Sequence, residues 1–221
     1  MKKVMDYILL DLDGTVSDPM VGICTSVQYG LRKMGIEVPD IRVLTPFIGP
    51  PLRDSFRNYY NIAEEDMEKV VAFYRERFST VGLFENDLYP GMADMLGALQ
   101  ASGKHLALAS SKPRVFVRKI LDHFNISQYF EVIMGSELDG TRENKIEIIE
   151  ECLRLFSADG PVAKENCVMV GDRKYDIEAA VKVGIPSIGV TYGYGSREEL
   201  KTAGADVIVE SVEELKEILL K

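Results

Sequence analysis

Short apolar runs recur along the chain, and each is followed by small or polar residues and then by a helical pattern. The runs are Tyr7–Leu10, Leu106–Ala109, Val132–Met134, Val168–Val170, Ser187–Val190 and Val207–Val209. Continuous apolar strands that alternate with amphipathic helices are typical of a parallel sheet with helices on both faces. The pattern therefore predicts an α/β fold, with a doubly wound parallel sheet and right-handed crossovers.

A long helical segment interrupts this alternation after the first strand. Residues 20–83 contain helical patterns but no convincing strand pattern. The predicted helices are Met20–Met34, Leu52–Tyr60 and Glu64–Phe78. We therefore predict a discontinuous α/β core formed by residues 1–17 and 86–221, with a helical domain inserted at residues 18–85.

Composition and charge exclude several classes of protein. The chain has 221 residues, of which 46% are apolar and 28% charged, as in ordinary globular proteins. With 26 Lys and Arg against 35 Asp and Glu, the formal net charge is −9. This charge disfavours binding to nucleic acid or to an anionic membrane, because either polyanion would be repelled. An anionic small substrate fits only where a metal ion or a few cations reverse the local field.

Cysteine and histidine usage narrows the chemistry further. Cys24, Cys152 and Cys167 are widely separated and form no CxxC pair, so we expect neither a disulfide framework nor a structural zinc site. The apolar stretches are far shorter than the roughly 18 residues that a membrane helix needs. We therefore expect a cytoplasmic protein, and both a monomer and a homodimer remain open. Because the sequence has only two histidines and no GxSxG motif, carboxylates are the candidate catalytic groups.

Two aspartates follow the first predicted strand directly, in the sequence Asp11-Leu12-Asp13-Gly14-Thr15. A plain turn is one interpretation. A calcium loop of the EF-hand type also begins with two aspartates, but Gly14 comes too early for that motif. At a strand tip, one carboxylate would point toward a pocket while the other could reach over it. Such a pair can divide the roles of nucleophile and general acid/base.

A second acidic pair follows another apolar strand. Asp172 comes directly after Val168-Met169-Val170-Gly171, and Asp176 lies four residues further on, at the predicted start of a helix. Helix-capping aspartates are the alternative interpretation. In an open parallel sheet, however, ligands bind beyond the carboxyl ends of the strands, so the two acidic pairs are expected to converge. Four clustered carboxylates need a cation, and Mg²⁺ is the hard divalent ion that suits such oxygen ligands.

Two further segments supply candidate phosphate-binding groups. Ser110 and Ser111 follow the strand Leu106–Ala109, and hydroxyl and backbone N–H groups bind phosphoryl oxygens well. One lysine would complete such a site, and two compete for the position. Lys112 lies in a turn before a proline, whereas Lys145 lies at a predicted helix start, where anions are favoured. We favour Lys145, and an exposed surface lysine is the alternative interpretation for each.

Taken in order, these motifs resemble those of the haloacid dehalogenase superfamily, and the whole chain looks like its phosphoglycolate phosphatase-like branch. The motifs are Asp11-x-Asp13-Gly-Thr, Ser110, Lys145 and Gly171-Asp172-x-x-x-Asp176. The resemblance implies a Rossmann-like core. It also implies that the inserted helical domain is a cap that closes over the substrate.

The resemblance implies a role for each of these side chains. Asp11 would attack the phosphoryl group to form an aspartyl-phosphate, and Asp13 would be the general acid/base. The phosphoryl oxygens would be held by Ser110, Ser111 and Lys145. The implied cofactor is Mg²⁺, and its ligands would be Asp11, the backbone carbonyl of Asp13 and Asp172, with Asp176 in support.

The implied substrate is a small-molecule phosphate monoester. Segments 47–52, 135–141 and 192–195 look like those of bacterial 5′-nucleotidases, and a phosphoglycolate-type substrate is the alternative. In the insertion, Gly49 belongs to a stiff turn and Arg53 lies in the first turn of the next predicted helix. Arg53 would either contact the leaving group of the substrate or be an ordinary exposed helix residue.

Other functions share part of this residue set. A phosphomutase has the same core residues and differs in how its cap retains the intermediate. A receiver-type signalling domain also phosphorylates an aspartate with Mg²⁺, but it is typically about half this length and lacks the insertion. A silent phosphate-binding domain would not need every catalytic group, and a dehalogenase would need neither Asp13 nor a metal ion. We therefore predict a phosphatase, and a phosphomutase with the same core residues remains the main alternative.

Overall fold

The computed structural model describes residues 5–139 and 141–221. The chain folds into two compact units. The core unit consists of the chain up to Asp18 together with Leu88–Lys221, and the insertion unit consists of Pro19–Asp87.

Six of the described strands follow the apolar runs of the sequence, and β2 and β3 are two-residue strands outside those runs. In chain order they are β1 (Tyr7–Leu10), β2 (Ser17–Asp18), β3 (Asp87–Leu88), β4 (His105–Pro113), β5 (Val132–Ser136), β6 (Cys167–Gly171), β7 (Ser187–Val190) and β8 (Val207–Val209). Among the described residues, the core unit contains a six-stranded sheet in the order β5-β4-β1-β6-β7-β8, and all of its neighbouring strands are parallel. The predicted α/β fold with a doubly wound, Rossmann-like sheet is confirmed.

Helices separate the strands of the core unit and form most of the insertion unit. In chain order they are α1 (Met20–Lys33), α2 (Leu52–Tyr60), α3 (Glu64–Phe78), α4 (Met92–Ala101), α5 (Arg114–His123), α6 (Lys145–Phe156), α7 (Lys174–Val183), α8 (Arg197–Ala203) and α9 (Val212–Leu219). Short 3-10 helices occur at Ile41–Phe47, Gly82–Phe84, Ser127–Tyr129, Ser157–Asp159 and Lys164–Asn166. Across the described parts of the chain, none of the helices is long and apolar enough to span a membrane.

The hydrophobic core of the core unit holds the central strands rigidly. Leu9 of β1, Ala107 of β4 and Met169 of β6 are fully buried on one face of the sheet. They pack in one cluster with apolar side chains of α6 and α7, including Ile148 and Ala180. Burying a leucine-sized side chain contributes about 1.5–3 kcal/mol, so this packing fixes the ends of the strands from which the polar loops begin.

The strand β4 is longer than predicted. The sequence places its end at Ala109, because the polar residues that follow are typical of a turn. The structure continues the strand to Pro113, which pairs with Ser136 of β5 after an irregularity in the register. The residues of this irregular stretch, Ser110 to Lys112, therefore belong to the carboxyl-terminal end of β4.

The insertion unit is a small helical bundle with its own buried side chains. Leu31 of α1, Phe56 of α2 and Met67 of α3 are fully buried. Gly30 allows α1 to approach α3 closely, because a Cβ atom there would lie 3.3 Å from the backbone nitrogen of Tyr74. The helices α2 and α3 have the bounds that the apolar pattern predicts.

Candidate functional site

The topology of the sheet brings the two acidic motifs together. Strands β1 and β6 are neighbours, and the direction of the strand order reverses between them. Asp11 directly follows β1 and Asp172 directly follows β6. Because parallel strands end at the same edge of a sheet, both carboxylates lie at the edge where ligands bind in such folds.

Three carboxylates of this region form one buried cluster. Asp11, Asp172 and Asp176 each offer an oxygen atom, and these atoms lie within 4.8 Å of one another. The side chains are almost inaccessible, with exposed fractions of 6%, 0% and 2%. Burial raises the pKa of Asp172 well above its usual range, and the charges of Asp176 and Asp11 raise it further. Burial also raises the pKa of Asp176 to about 6, against the opposing effect of Lys145.

The donor set of this cluster fits a hard divalent cation. Asp172 Oδ2 accepts a hydrogen bond from the Tyr194 backbone N–H at 2.7 Å. Asp172 Oδ1 is also buried, yet within the described chain it has no hydrogen-bond partner. An unpartnered carboxylate oxygen beside two other buried carboxylates is costly unless a cation compensates it. All-oxygen ligands of this kind suit Mg²⁺.

Lys145 compensates part of this negative charge. As the first residue of α6, it brings Nζ to 2.7 Å from Asp11 Oδ1, 2.7 Å from Asp176 Oδ1 and 2.9 Å from the Ala109 carbonyl oxygen. Burial alone would lower the pKa of Lys145, but the two carboxylates outweigh burial and raise it. The ammonium group therefore stays charged beside Asp11 at neutral pH.

The second lysine belongs to the same site but contacts a different aspartate. Lys112 Nζ lies 2.8 Å from Asp13 Oδ1 and 2.7 Å from Asp13 Oδ2. From the sequence, Lys112 and Lys145 compete for one phosphate-binding position. In the structure both ammonium groups lie beyond the carboxyl end of β1, that of Lys112 against Asp13 and that of Lys145 against Asp11 and Asp176. Which of the two lysines holds a phosphoryl group stays a prediction. Burial raises the pKa of Asp13, with Lys112 opposing the shift.

The sequence predicts that four carboxylates converge. The carboxylate of Asp13 is not among the three whose oxygen atoms lie within 4.8 Å of one another, and it forms an ion pair with Lys112. Ser110 is 2% exposed, and its hydroxyl accepts a hydrogen bond from the Lys112 backbone N–H at 3.3 Å. The carbonyl of Ser111 accepts from the Ser136 hydroxyl at 2.8 Å, which holds this edge of β4 against β5.

Sequence reasoning missed the glycines that let the acidic loops pack together. A Cβ atom on Gly14, whose φ is +87°, would lie 2.2 Å from Asp172 Oδ2. A Cβ atom on Gly171 would lie 2.2 Å from Asp176 Cγ. Both glycines adjoin an aspartate of the motifs, and that adjacency is the only sequence signal of the close packing.

The candidate specificity residues lie in the insertion unit. Gly49 has a φ of +103°, a left-handed conformation that favours glycine. The guanidinium group of Arg53 lies 2.6 Å from Glu68 Oε1. A role of these two residues in substrate selection stays a prediction.

Comparisons with known proteins identify the family. A family model of haloacid dehalogenase-like hydrolases matches residues 8–190, and the chain belongs to this family. A 5′-nucleotidase from Pseudomonas aeruginosa is 46% identical over 88% of this chain and 86% of its own length. Tyrosine-protein kinase PtkA from Mycobacterium tuberculosis is 35% identical over 96% of this chain and 72% of its own length.

A solved structure agrees with this assignment. The crystal structure of a predicted phosphatase from Clostridium acetobutylicum is 45% identical, with a TM-score of 0.93 over 98% of this chain and 99% of that chain. The resemblance drawn from the motifs is therefore confirmed. The chain is a phosphatase of this family, an enzyme that hydrolyses phosphoric monoesters.

The raised pKa values of Asp172 and Asp176 predict an unusual dependence of stability on pH. A carboxyl group with a raised pKa in the folded state binds protons more tightly there than in the unfolded chain. Its stabilising effect is present at low pH and is lost as pH rises from the ordinary value of 3.8 through about 6. We therefore expect Mg²⁺ to raise the melting temperature more at pH 7.5 than at pH 5.5.

The measurement is thermal unfolding in EDTA and in excess Mg²⁺ across this pH range. In a chain of this size each kcal/mol shifts the melting temperature by about 2–4 °C, so the difference is readily observed. A Mg²⁺ effect that is equal at both pH values would contradict the expectation. NaCl at the same ionic strength controls for a general effect of salt.

Proposed function

We propose that this enzyme hydrolyses a 5′-nucleotide, or a closely similar small phosphate monoester, through an aspartyl-phosphate on Asp11 and with Mg²⁺ as cofactor. The observation that carries the proposal is the buried contact of Lys145 with Asp11 and Asp176, beside Asp172. A carboxylate ion-paired in this way suits a nucleophile that must approach a phosphate dianion, because nearby positive charge offsets the repulsion.

In the first step, a carboxylate oxygen of Asp11 attacks phosphorus while the bond between phosphorus and the ester oxygen breaks. Asp13 donates a proton to the leaving oxygen. This needs a protonated carboxyl group, and the raised pKa of Asp13 favours that form. In the second step, Asp13 takes a proton from water, which attacks the aspartyl-phosphate and releases inorganic phosphate.

The phosphoryl oxygens have candidate partners next to Asp11. Lys145 Nζ already contacts Asp11 Oδ1, so its charge lies beside any phosphoryl group bound to that residue. Ser110 and Ser111 follow the apolar part of β4, next to β1, where hydroxyl and backbone N–H groups suit equatorial oxygens. We assign the phosphate-binding role to these three residues.

Mg²⁺ would be held by Asp11, Asp172 and the backbone carbonyl of Asp13, with Asp176 in support. When bound, it supplies positive charge that offsets the charge developing on the phosphoryl oxygens. The Asp172 oxygen that lacks a hydrogen-bond partner supports this assignment.

The relative named 5′-nucleotidase supports a nucleotide as substrate. We propose that the insertion unit acts as the cap and selects the leaving group, with Gly49 and Arg53 as its specificity residues. Phosphoglycolate is the second substrate to test, because the motif resemblance implies it.

The test measures release of inorganic phosphate by the purified protein. The substrates are 5′-nucleoside monophosphates, phosphoglycolate and p-nitrophenyl phosphate, each with Mg²⁺ or with EDTA. We expect the highest kcat/KM for a 5′-nucleotide and no turnover in EDTA. A higher value for phosphoglycolate would overturn the nucleotide assignment, and full activity after thorough chelation would overturn the metal assignment. Phosphoryl transfer to a second hydroxyl without phosphate release would indicate a mutase or a transferase.

The role of Asp13 predicts a difference between good and poor leaving groups. A nucleoside alkoxide must be protonated as it leaves, whereas p-nitrophenolate leaves without a proton. In Asp13→Asn we expect hydrolysis of a 5′-nucleotide to slow by about a hundredfold or more. With p-nitrophenyl phosphate we expect a burst of p-nitrophenolate equal to the enzyme concentration, followed by slow turnover, because the second step still needs the base.

Stopped-flow absorbance measures this burst. Steady-state rates equal to wild type for both substrates would remove Asp13 from the acid/base role. Asp6→Asn is the control, because Asp6 lies before β1 at the opposite edge of the sheet and contacts Lys104.

A further inference from the structure

The loop after β7 touches the candidate metal site through its backbone. The Tyr194 backbone N–H donates a hydrogen bond to Asp172 Oδ2 at 2.7 Å. The other oxygen of this carboxylate has no hydrogen-bond partner in the described chain. One oxygen is therefore fixed by the loop, and the other is left for a ligand.

Glycines on both sides of Tyr194 allow this contact. A Cβ atom on Gly193 would lie 2.2 Å from the Gly14 carbonyl oxygen and 2.5 Å from Asp172 Cβ. A Cβ atom on Gly195 would lie 1.9 Å from the Asp172 carbonyl oxygen. The loop is thus packed directly on the backbone of both acidic motifs, with no space for a side chain at either glycine.

The two tyrosine side chains of the loop anchor it to the last residue of the first acidic motif and to the segment that follows. The Tyr194 hydroxyl donates a hydrogen bond to Asp18 Oδ1. The Tyr192 hydroxyl donates to the Thr15 carbonyl oxygen at 3.0 Å. Tyr89 packs edge-on against the ring of Tyr192, with ring centroids 4.8 Å apart. All of these residues belong to the core unit.

We propose that Tyr194 is a positioning residue for Asp172: its hydroxyl bond to Asp18 holds the loop so that its backbone N–H orients the carboxylate for Mg²⁺. This inference rests on the proposed function, because it takes Asp172 to be a metal ligand. Groups that orient a metal ligand commonly change metal affinity by about 10–100-fold when they are removed. In this proposal the hydroxyl acts on Asp172 through the loop, by its hydrogen bond to Asp18.

The test is a Mg²⁺ titration of the melting temperature without substrate, because a ligand that binds the folded state stabilises it in proportion to ln(1 + [L]/Kd). In Tyr194→Phe we expect about tenfold weaker Mg²⁺ binding. The rate with p-nitrophenyl phosphate should recover toward wild type at saturating Mg²⁺. The matched control is Tyr29→Phe, which also removes a tyrosine hydroxyl bonded to a carboxylate, that of Glu76 at 2.7 Å in the insertion unit. Mg²⁺ binding in this control should equal wild type.

The partner of the hydroxyl provides an independent variant. Asp18→Ala removes the acceptor and should weaken Mg²⁺ binding as Tyr194→Phe does, whereas Asp18→Asn keeps an acceptor oxygen and should stay near wild type. The double variant Tyr194→Phe with Asp18→Ala should bind Mg²⁺ no more weakly than either single variant, because both substitutions remove the same hydrogen bond.

The outcomes separate this inference from the proposed function. If wild type shows no Mg²⁺-dependent stabilisation and Asp172→Asn behaves in the same way, the metal site itself is wrong. If wild type binds Mg²⁺ and Tyr194→Phe binds it equally well, the positioning role is wrong. Full additivity of the losses in the double variant would also overturn it. Should Tyr194→Phe not fold, the two Asp18 variants decide the question.

Discussion

Asp11→Asn should abolish turnover while leaving the protein folded and at least as stable as wild type in EDTA. The amide keeps the volume of the side chain and can still accept a hydrogen bond from Lys145, but it cannot attack phosphorus. Loss of a residue that acts in covalent catalysis typically lowers kcat by about a thousandfold or more. We expect a loss of this size with every phosphate ester.

The stability part of this prediction follows from the carboxylate cluster. The charge of Asp11 raises the pKa of both Asp172 and Asp176, after the larger effect of burial. Removing that charge relieves the repulsion of Asp172 and Asp176, and Lys145 keeps its ion pair with Asp176 at 2.7 Å, so the buried ammonium group is not left without a counter-charge. The melting temperature in EDTA should therefore not fall, and the further rise on adding Mg²⁺ should be smaller than in wild type.

The experiment measures kcat with p-nitrophenyl phosphate and melting temperature on the same preparations. Asp206→Asn is the matched control, because Asp206 accepts a hydrogen bond from the Ser187 backbone N–H at the start of β7, away from the strand ends that carry the site. It should keep wild-type turnover. Borohydride reduction of wild type during turnover should convert Asp11 to homoserine. A folded Asp11→Asn protein that retains a tenth of wild-type turnover would exclude Asp11 as nucleophile.

The apolar pattern of the sequence predicts the sheet well, for a simple physical reason. Parallel strands buried on both faces are continuous apolar runs, so β1, β7 and β8 begin and end at the predicted residues. The acidic motifs are also visible in the sequence, because each directly follows such a run. Their convergence then follows from the rule that parallel strands end at one edge.

The pairing of lysines with aspartates within the site cannot be predicted from such patterns. Lys112 and Asp13 are 99 positions apart, and only the register of β4 against β1 decides that they meet. Local sequence offers two lysines for one phosphate-binding position, one at a helix start and one in a turn. It carried no information on which carboxylate each would contact.

The contact of Tyr194 with Asp172 is even less visible, because a backbone N–H makes it. Every residue except proline has that group, so its identity does not indicate the contact. Gly193 and Gly195 resemble an ordinary glycine-rich loop. Glycine is needed at both positions for a steric reason, which only the structure reveals, because the loop packs against Asp172.

Of the substitutions considered, Lys145→Met should lower the stability most, and it should also impair activity. Methionine has nearly the length of lysine, but it leaves Asp11 and Asp176 without the ammonium group that contacts both at 2.7 Å. Breaking a buried ion pair from one side typically costs about 3–5 kcal/mol. Since the pKa of Lys145 is raised in the folded state, its stabilising effect is fully present at neutral pH and is lost only as pH rises through that raised value.

The decrease in the free energy of unfolding should therefore be large at pH 7.5 in EDTA. Acidification should reduce this decrease, because the carboxylates left without Lys145 become protonated. Mg²⁺ should restore part of the stability, since it brings positive charge to the same carboxylates. Activity should remain at least about a hundredfold below wild type even in saturating Mg²⁺, because a positive contact with the phosphoryl group is missing.

Urea unfolding with and without Mg²⁺, together with kcat, measures these effects. Lys104→Met is the matched control, since Lys104 is equally buried but pairs with Asp6 at 3.3 Å, before the sheet begins. If Lys145→Met were no less stable than Lys104→Met in EDTA at pH 7.5, the carboxylate cluster would not depend on Lys145 for compensation.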